Sequence, residues 1–330
     1  MMKLSTMKKV VETLNDNWES KLANNIVNLW DHDKNTVKYF RSSANFIFTF
    51  QKRNNRFFLR FNKSSSKSKR ELQEEIKLLK ALNERKENIV KPVKSVRNNY
   101  VETVKTKLGE YNAVVFEEVK GNRFEFEELG KKNFYIWGKE LGNLHNTTNK
   151  IESNLSLNFN SWEDHLIFIE NNLPDEETSA LEELKKIKDR MYNLKIDNKN
   201  YGIIHFDFEL DNLIYNNKRF YIIDFDDAAY YCYVADIAFA LRDLFAGKVD
   251  FNNDMLKAFI KGYKGEFIIE QDKLLDLFLF LRFHNLLTFT KLIKAVDINE
   301  DSNQPAWLIN LKYKLNDVIR GYRNSFEKAN

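Results

Sequence analysis

Residues 203–227 read IIHFDFELDNLIYNNKRFYIIDFDD, and this stretch decides the fold. Two apolar pieces, 213–215 and 220–223, flank a polar turn at 216–219, the pattern of a short β-hairpin. Acidic or amide residues sit at both of its ends. A hairpin brings the loop before it and the loop after it side by side, so the spacing predicts that His205, Asp207 and Asn212 converge with Asp224. Phosphoryl transfer needs that grouping: a carboxylate to orient and deprotonate an attacking hydroxyl, and oxygen ligands for Mg²⁺ bridging the phosphates.

The run H-x-D-x-x-x-x-N from His205 to Asn212, with Asp224 twelve residues further on, resembles the aminoglycoside phosphotransferase and choline kinase family, a version of the protein-kinase fold. That resemblance implies Asp207 as catalytic base, Asn212 and Asp224 as Mg²⁺ ligands, and His205 as a brace of the catalytic loop. It also implies ATP or GTP as donor and a small-molecule hydroxyl as acceptor. Further positions fit over about residues 40–290. Arg60 in FFLRF stands where kinases place the phosphate-binding basic residue on the third strand, and Glu75 in EIKLLKAL where the helix glutamate pairs with it. Taken alone, Glu75 reads as a solvated helix charge. The segment VVFEEVKG, 114–121, resembles the hinge that holds the base through its backbone, so Glu117, Glu118 and Val119 are expected to face it. WGKELGNLH, 137–145, resembles the family's L-G-x-L-H helix, and Asp236 in ADIA the aspartate that braces the catalytic loop from behind.

Two departures stand out. The strand residue is Arg rather than Lys, which keeps the charge and binds phosphate as a fork. The turn RSSAN, 41–45, has no glycine, and none occurs before Gly109; Ser42, Ser43 and Asn45 are therefore expected to supply the phosphate donors. Acidic Glu209, Asp226 and Asp227, with Tyr230 and Trp162, are expected to form a negative, aromatic surface for a cationic alcohol or amino sugar, although tyrosine runs after such a hairpin are more often packing.

Working outward, residues 5–30 read as a helix, 46–51 and 56–61 as a hairpin, and 66–84 as a helix with Leu72, Ile76, Leu79 and Leu82 at helical spacing. Segments 89–96, 100–105 and 112–119 read as strands. Helices follow at about 131–146, 162–173, 176–193, 234–246, 253–264, 271–293 and 304–327, around one β segment at 201–223. The expected class is α+β and bilobal: a nucleotide-binding lobe at 1–119 with an antiparallel sheet and one main helix, and a larger, mostly helical lobe at 120–330 carrying the catalytic loop and acceptor pocket.

Composition narrows the classes. The chain has 330 residues with 52 basic against 48 acidic side chains, and the excess is scattered, which argues against nucleic acid as partner. A single cysteine, Cys232, can form neither an internal disulfide nor a cysteine-based zinc site and suits a reducing compartment. The N-terminal stretch lacks a signal-peptide core, and the most apolar segment, 274–293, is interrupted by Asp276, Arg282, His284 and Lys291, so it reads as a buried helix rather than a membrane span. The expectation is a cytoplasmic enzyme, monomeric or a weak homodimer. A protein Ser/Thr kinase of the bacterial stress-response type is a rival, disfavoured by the short interval between Asp224 and Asp236. A catalytically silent nucleotide-binding protein is a second, disfavoured by the presence of Asp207, Asn212 and Asp224. A metallohydrolase lacks histidines at ligand spacing.

Overall fold

Alternating aromatics at 46–50 and 57–61 demand a sheet with one apolar face. The structure, a computed structural model describing all residues except 86, 246–248, 300–303 and 330, contains that sheet. β1 (Lys38–Ser42), β2 (Phe46–Lys52) and β3 (Asn55–Lys63) run antiparallel, with Phe46 opposite Phe61 and Phe48 opposite Leu59. β4 (Pro92–Val93), β5 (Glu102–Thr106) and β6 (Gly109–Glu117) complete it; β6 lies between β3 on one side and β4 and β5 on the other. Phe46, Phe48, Phe50, Leu59 and Phe61 share one face, closed over by α1 (Leu4–Val11) and α2 (Lys21–Val27) through Met7, Val10, Leu22 and Ile26. Each such buried side chain contributes about 1.5–3 kcal/mol. Period-two alternation sends Arg60, between Leu59 and Phe61, to the opposite face. There α3 (Lys69–Glu84) packs, begun by a capping box in which the Ser68 hydroxyl accepts from the Glu71 N–H and the Glu71 carboxylate from the Ser68 N–H.

The second lobe is built from α4 (Lys131–Glu152), α5 (Trp162–Asn172) and α6 (Thr178–Tyr192), then the short strands β7 (Tyr201–Ile204), β8 (Leu213–Asn216), β9 (Arg219–Ile222) and β10 (Ala229–Cys232), then α7 (Tyr233–Ala240), α8 (Asp254–Lys264), α9 (Leu277–Ala295) and α10 (Ala306–Ala329). Helices α4 and α8 touch backbone to backbone: a Cβ at Gly138 would lie 2.0 Å from the Phe259 carbonyl oxygen and one at Gly262 2.0 Å from that of Tyr135. Among the described residues no helix is long and apolar enough to cross a membrane; α9 is buried along most of its length.

Several expectations need correction. The helix expected at 5–30 is two helices, because the Asn15 side chain accepts from the Asn17 and Glu19 N–H groups and diverts the backbone into a turn, with Trp18 at φ 61°. Strand β1 was not expected, and the strand at 89–96 shrinks to the pair Pro92–Val93. β7 does not continue into the β8–β9 hairpin. It pairs with β10, a strand hidden in the tyrosine run. The helix expected at 234–246 ends at Ala240 and continues as a 3-10 turn, Arg242–Phe245; residue 246 lies outside the described residues.

Candidate active site

The hairpin of β8 and β9 does what its sequence demands. Its ends are tied by the Ile223 N–H donating to the Asn212 carbonyl at 3.0 Å, which sets the loop before β8 against the loop after β9. Asn212 Nδ2 donates to Asp207 Oδ2 at 2.8 Å and to the Asp207 carbonyl at 3.0 Å. One carboxylate oxygen of Asp207 is thereby fixed; Oδ1 lies 3.7 Å from Arg242, and the Glu209 carboxyl also stands against the Asp207 side chain. Asp207, Asn212 and Asp224 line one cavity of about 220 Å³, together with Ser43, Asn45, Glu209, Asp226 and Asp227.

The catalytic loop is held from behind. Asp236, fully buried, accepts from the His205 N–H at 2.8 Å, the Phe206 N–H at 2.9 Å and His145 Nε2 at 3.0 Å. These bonds hold Phe206 at φ 73°, a conformation unfavourable for an aromatic residue. His145 Nδ1 accepts from the Tyr263 hydroxyl at 2.8 Å, and burial lowers the His145 pKa against the pull of Asp236, so the ring is neutral and protonated on Nε2. His205 is also kept neutral by burial; its ring donates from Nε2 to the Ile223 carbonyl at 3.0 Å and lies against Phe225. It ties the loop to the end of β9 and does not line the cavity that Asp207 lines.

Arg60 is buried on β3 and forms a close ion pair with Glu75 of α3, while its Nη1 donates to Asp224 Oδ1 at 3.0 Å. Burial opposes its charge, but Glu75, Asp226 and Asp224 outweigh it and raise the guanidinium pKa further. Asp224 stands at φ 63°. Its carboxyl is raised to about 6 by burial, with Asp226 and Asp207 adding to the shift and Arg60 and Arg41 opposing it. The Asn212 amide oxygen and the Asp224 carboxylate are hard oxygen donors beside a crowd of carboxylates, a set that fits a hard divalent cation such as Mg²⁺ or Ca²⁺. Among the described residues no cluster of three His, Cys, Asp or Glu side chains is placed to hold a metal ion.

A larger cavity of about 590 Å³ adjoins, walled by Phe40, Ile47, Phe58, Val90, Phe116, Ile214 and Ile223, with Glu117, Glu118 and Val119 at its rim. Its apolar walls and its volume suit a nucleoside. The Glu117 and Glu118 N–H groups are already engaged, donating to the Lys91 and Arg56 carbonyls at 2.9 and 3.2 Å; among the described residues the Val119 N–H makes no backbone bond. At the turn into the second lobe, Gly121 has φ 157°, and a Cβ there would lie 2.5 Å from the Tyr215 carbonyl oxygen. Asn122 and Tyr215 exchange backbone bonds at 2.9 and 2.8 Å, coupling this hinge to the catalytic hairpin.

Other expected residues sit differently. Asn45 spends its amide on Asp226 at 3.0 Å and accepts from Asn62, and the Ser42 hydroxyl is buried with no hydrogen-bond partner among the described residues; of the three expected phosphate donors, only Ser43 is exposed at the cavity. Trp162 is buried with its ring edge-on to Tyr192, and Tyr230 stacks on Tyr201 and donates to the Leu157 carbonyl at 3.3 Å, so neither lines the catalytic cavity. Glu209 is ion-paired with Arg242, Asp226 with Lys67 at 3.4 Å and Asp227 with Lys291 at 3.5 Å. The acidic side of the expected surface lines the cavity, each of these three carboxylates with a basic neighbour, while its aromatic side does not reach it. Arg41, Lys67, Arg242 and Lys291 were not singled out in the sequence; each is an ordinary surface-type residue whose role depends on distant partners.

The Phosphotransferase enzyme family model matches residues 36–271. An amicoumacin kinase from Bacillus subtilis (strain 168) is 22% identical over 306 residues, covering 90% of this chain and 88% of that protein. Among solved structures, an amicoumacin kinase in complex with AMP-PNP, Ca²⁺ and Ami superposes with a TM-score of 0.80 at 20% identity, over 97% of this chain and 96% of that one. A microcompartment-associated aminopropanol kinase gives 0.69 at 17%, over 93% and 96%. With a family match spanning residues 36–271, most of the chain, this protein belongs to the phosphotransferase enzyme family and is a small-molecule kinase.

Proposed function

We propose that the enzyme transfers the terminal phosphoryl group of ATP or GTP to a hydroxyl of a small amino-bearing molecule, with Asp207 as general base. The observation that carries this is the Asp207 carboxylate, one oxygen held by Asn212, lining a single cavity with Asn212 and Asp224. The acceptor hydroxyl gives its proton to Asp207 Oδ1 as its oxygen bonds to the terminal phosphorus and the bond to the nucleoside diphosphate breaks. Arg60, held charged by Glu75, neutralises charge on the phosphates. Asn212 and Asp224 would hold Mg²⁺, which when bound offsets phosphate charge. The nucleobase is assigned to the 590 Å³ cavity, whose rim includes Val119. Residues 1–119 then serve as the nucleotide lobe and 120–330 as the catalytic and acceptor lobe.

A chamber of about 650 Å³ shares Ala44, Asp226 and Asp227 with the catalytic cavity and gives room for an acceptor of antibiotic size. The names of the relatives point to amicoumacin-like and aminopropanol-like amino alcohols; amino sugars, choline-like and homoserine-like alcohols share that chemistry. A peptide acceptor is disfavoured, since β10 and α7 follow Asp224 with no segment on which a peptide would dock. Location in the cytoplasm and a monomer or weak homodimer accompany this reading. The test is nucleoside-triphosphate consumption over a panel of such alcohols. Turnover with one acceptor, abolished in Asp207→Ala while nucleotide still binds, supports the assignment; undiminished turnover in that variant refutes it.

A further inference from the structure

The turn between β1 and β2 carries no glycine, and several of its polar groups are spent within the protein. A loop between the first two strands ordinarily uses glycines so that backbone N–H groups can approach the phosphates. Here it is RSSAN: the Ser43 N–H donates to the Asn45 carbonyl at 3.2 Å, the Asn45 amide is bonded to Asp226, and Ser42 is turned inward.

A bulge makes the difference. β1 pairs Tyr39 with Phe48 and then Arg41 with Ile47, leaving Phe40 as an extra residue. In an unbroken strand Arg41 would share the apolar face of Phe46 and Phe48. The extra residue reverses the alternation, so that Phe40 and Arg41 both line the nucleotide cavity. Arg41 lines the catalytic cavity as well and therefore stands where the two meet.

Three further arginines line the nucleotide cavity, and all are committed: Arg60 to Glu75 and Asp224, Arg56 to Glu118 at 3.4 Å, and Arg123 to the Asp211 carbonyl. Among the described residues Arg41 makes a single long ion pair, 3.7 Å to Asp224 Oδ2, with its side chain 39% exposed. Such a pair holds weakly. We propose that Arg41 grips the terminal phosphates of the nucleotide, taking the place of the glycine-loop backbone and releasing Asp224 Oδ2 as it does so, while Arg60 keeps Oδ1. This rests on the nucleotide-dependent reading above.

The test is titration calorimetry of the full chain with the mono-, di- and non-hydrolysable triphosphate of adenosine and of guanosine, in Mg²⁺, for wild type, Arg41→Ala and Arg41→Lys. In Arg41→Ala the preference for triphosphate over monophosphate should fall roughly tenfold to hundredfold, the range of a charge-assisted bond, with monophosphate affinity little changed. Arg41→Lys should fall between, since it keeps charge and loses the fork. An unchanged preference in Arg41→Ala, or equal weakening towards all phosphate lengths, overturns the role of Arg41 and leaves the kinase reading standing. A wild-type protein that binds none of these nucleotides overturns both.

Discussion

Asp236→Asn is the most demanding single perturbation of the catalytic loop, because it changes charge and hydrogen-bond polarity without changing shape. In the native protein Oδ2 accepts from the His205 N–H and His145 Nε2, and Oδ1 from the Phe206 N–H. The best placement of the new amide leaves its oxygen at the Oδ2 position, keeping two bonds, and turns its NH₂ towards the Phe206 N–H. One charge-assisted bond is then lost, about 1.5–3 kcal/mol, and the two survivors fall to neutral strength, at about 1 kcal/mol each. The expected destabilisation is about 3–5 kcal/mol, measured as the change in unfolding free energy by urea titration with unchanged slope. The orphaned donor belongs to Phe206, whose left-handed backbone those bonds hold, so Asp207 should lose its position and kcat should fall beyond any loss of folded protein. A variant within 1 kcal/mol of wild type and with equal kcat would show that Asp236 does not hold the loop.

Asp224→Ala should remove the Mg²⁺-dependent part of the rise in melting temperature on adding ATP or GTP; an equal rise with and without Mg²⁺ in both proteins would dismiss the metal role of Asp224. Glu75→Ala leaves Arg60 buried with Asp224 and Asp226 as acidic neighbours, and should cost about 3 kcal/mol of stability, the lower end for breaking a buried pair; a loss under 1 kcal/mol would mean that Glu75 is not needed to hold Arg60. Glu152, accepting from the Ile203 N–H at 2.6 Å, has its carboxyl raised by burial to about 7 from 4.5. Because the shift is upward, its contribution is fully present below pH 4.5 and is lost as pH rises through 7. Glu152→Gln should flatten the pH dependence of stability across that window by roughly 2 kcal/mol, and an unaltered profile would place the titration elsewhere.

The amino-acid order alone determined the parts of this protein in which all partners lie within one supersecondary unit. His205, Asp207, Asn212 and Asp224 are brought together by a hairpin whose turn, strands and flanking loops fall within 25 consecutive residues, so their convergence was legible from spacing. The same holds for the hairpin of β2 and β3 and for α3, where period two and a capping box act locally. Tertiary structure decided the rest, and for one physical reason: a side chain's role there depends on an atom far away in sequence. Whether Glu75 is a solvated charge or a buried partner depends on Arg60; whether Asp226 and Asp227 attract a cation depends on Lys67 and Lys291; whether Arg41 faces the core or the nucleotide cavity depends on a one-residue slip in pairing with β2. Periodicity records which face of an element is apolar, but not which element will cover it.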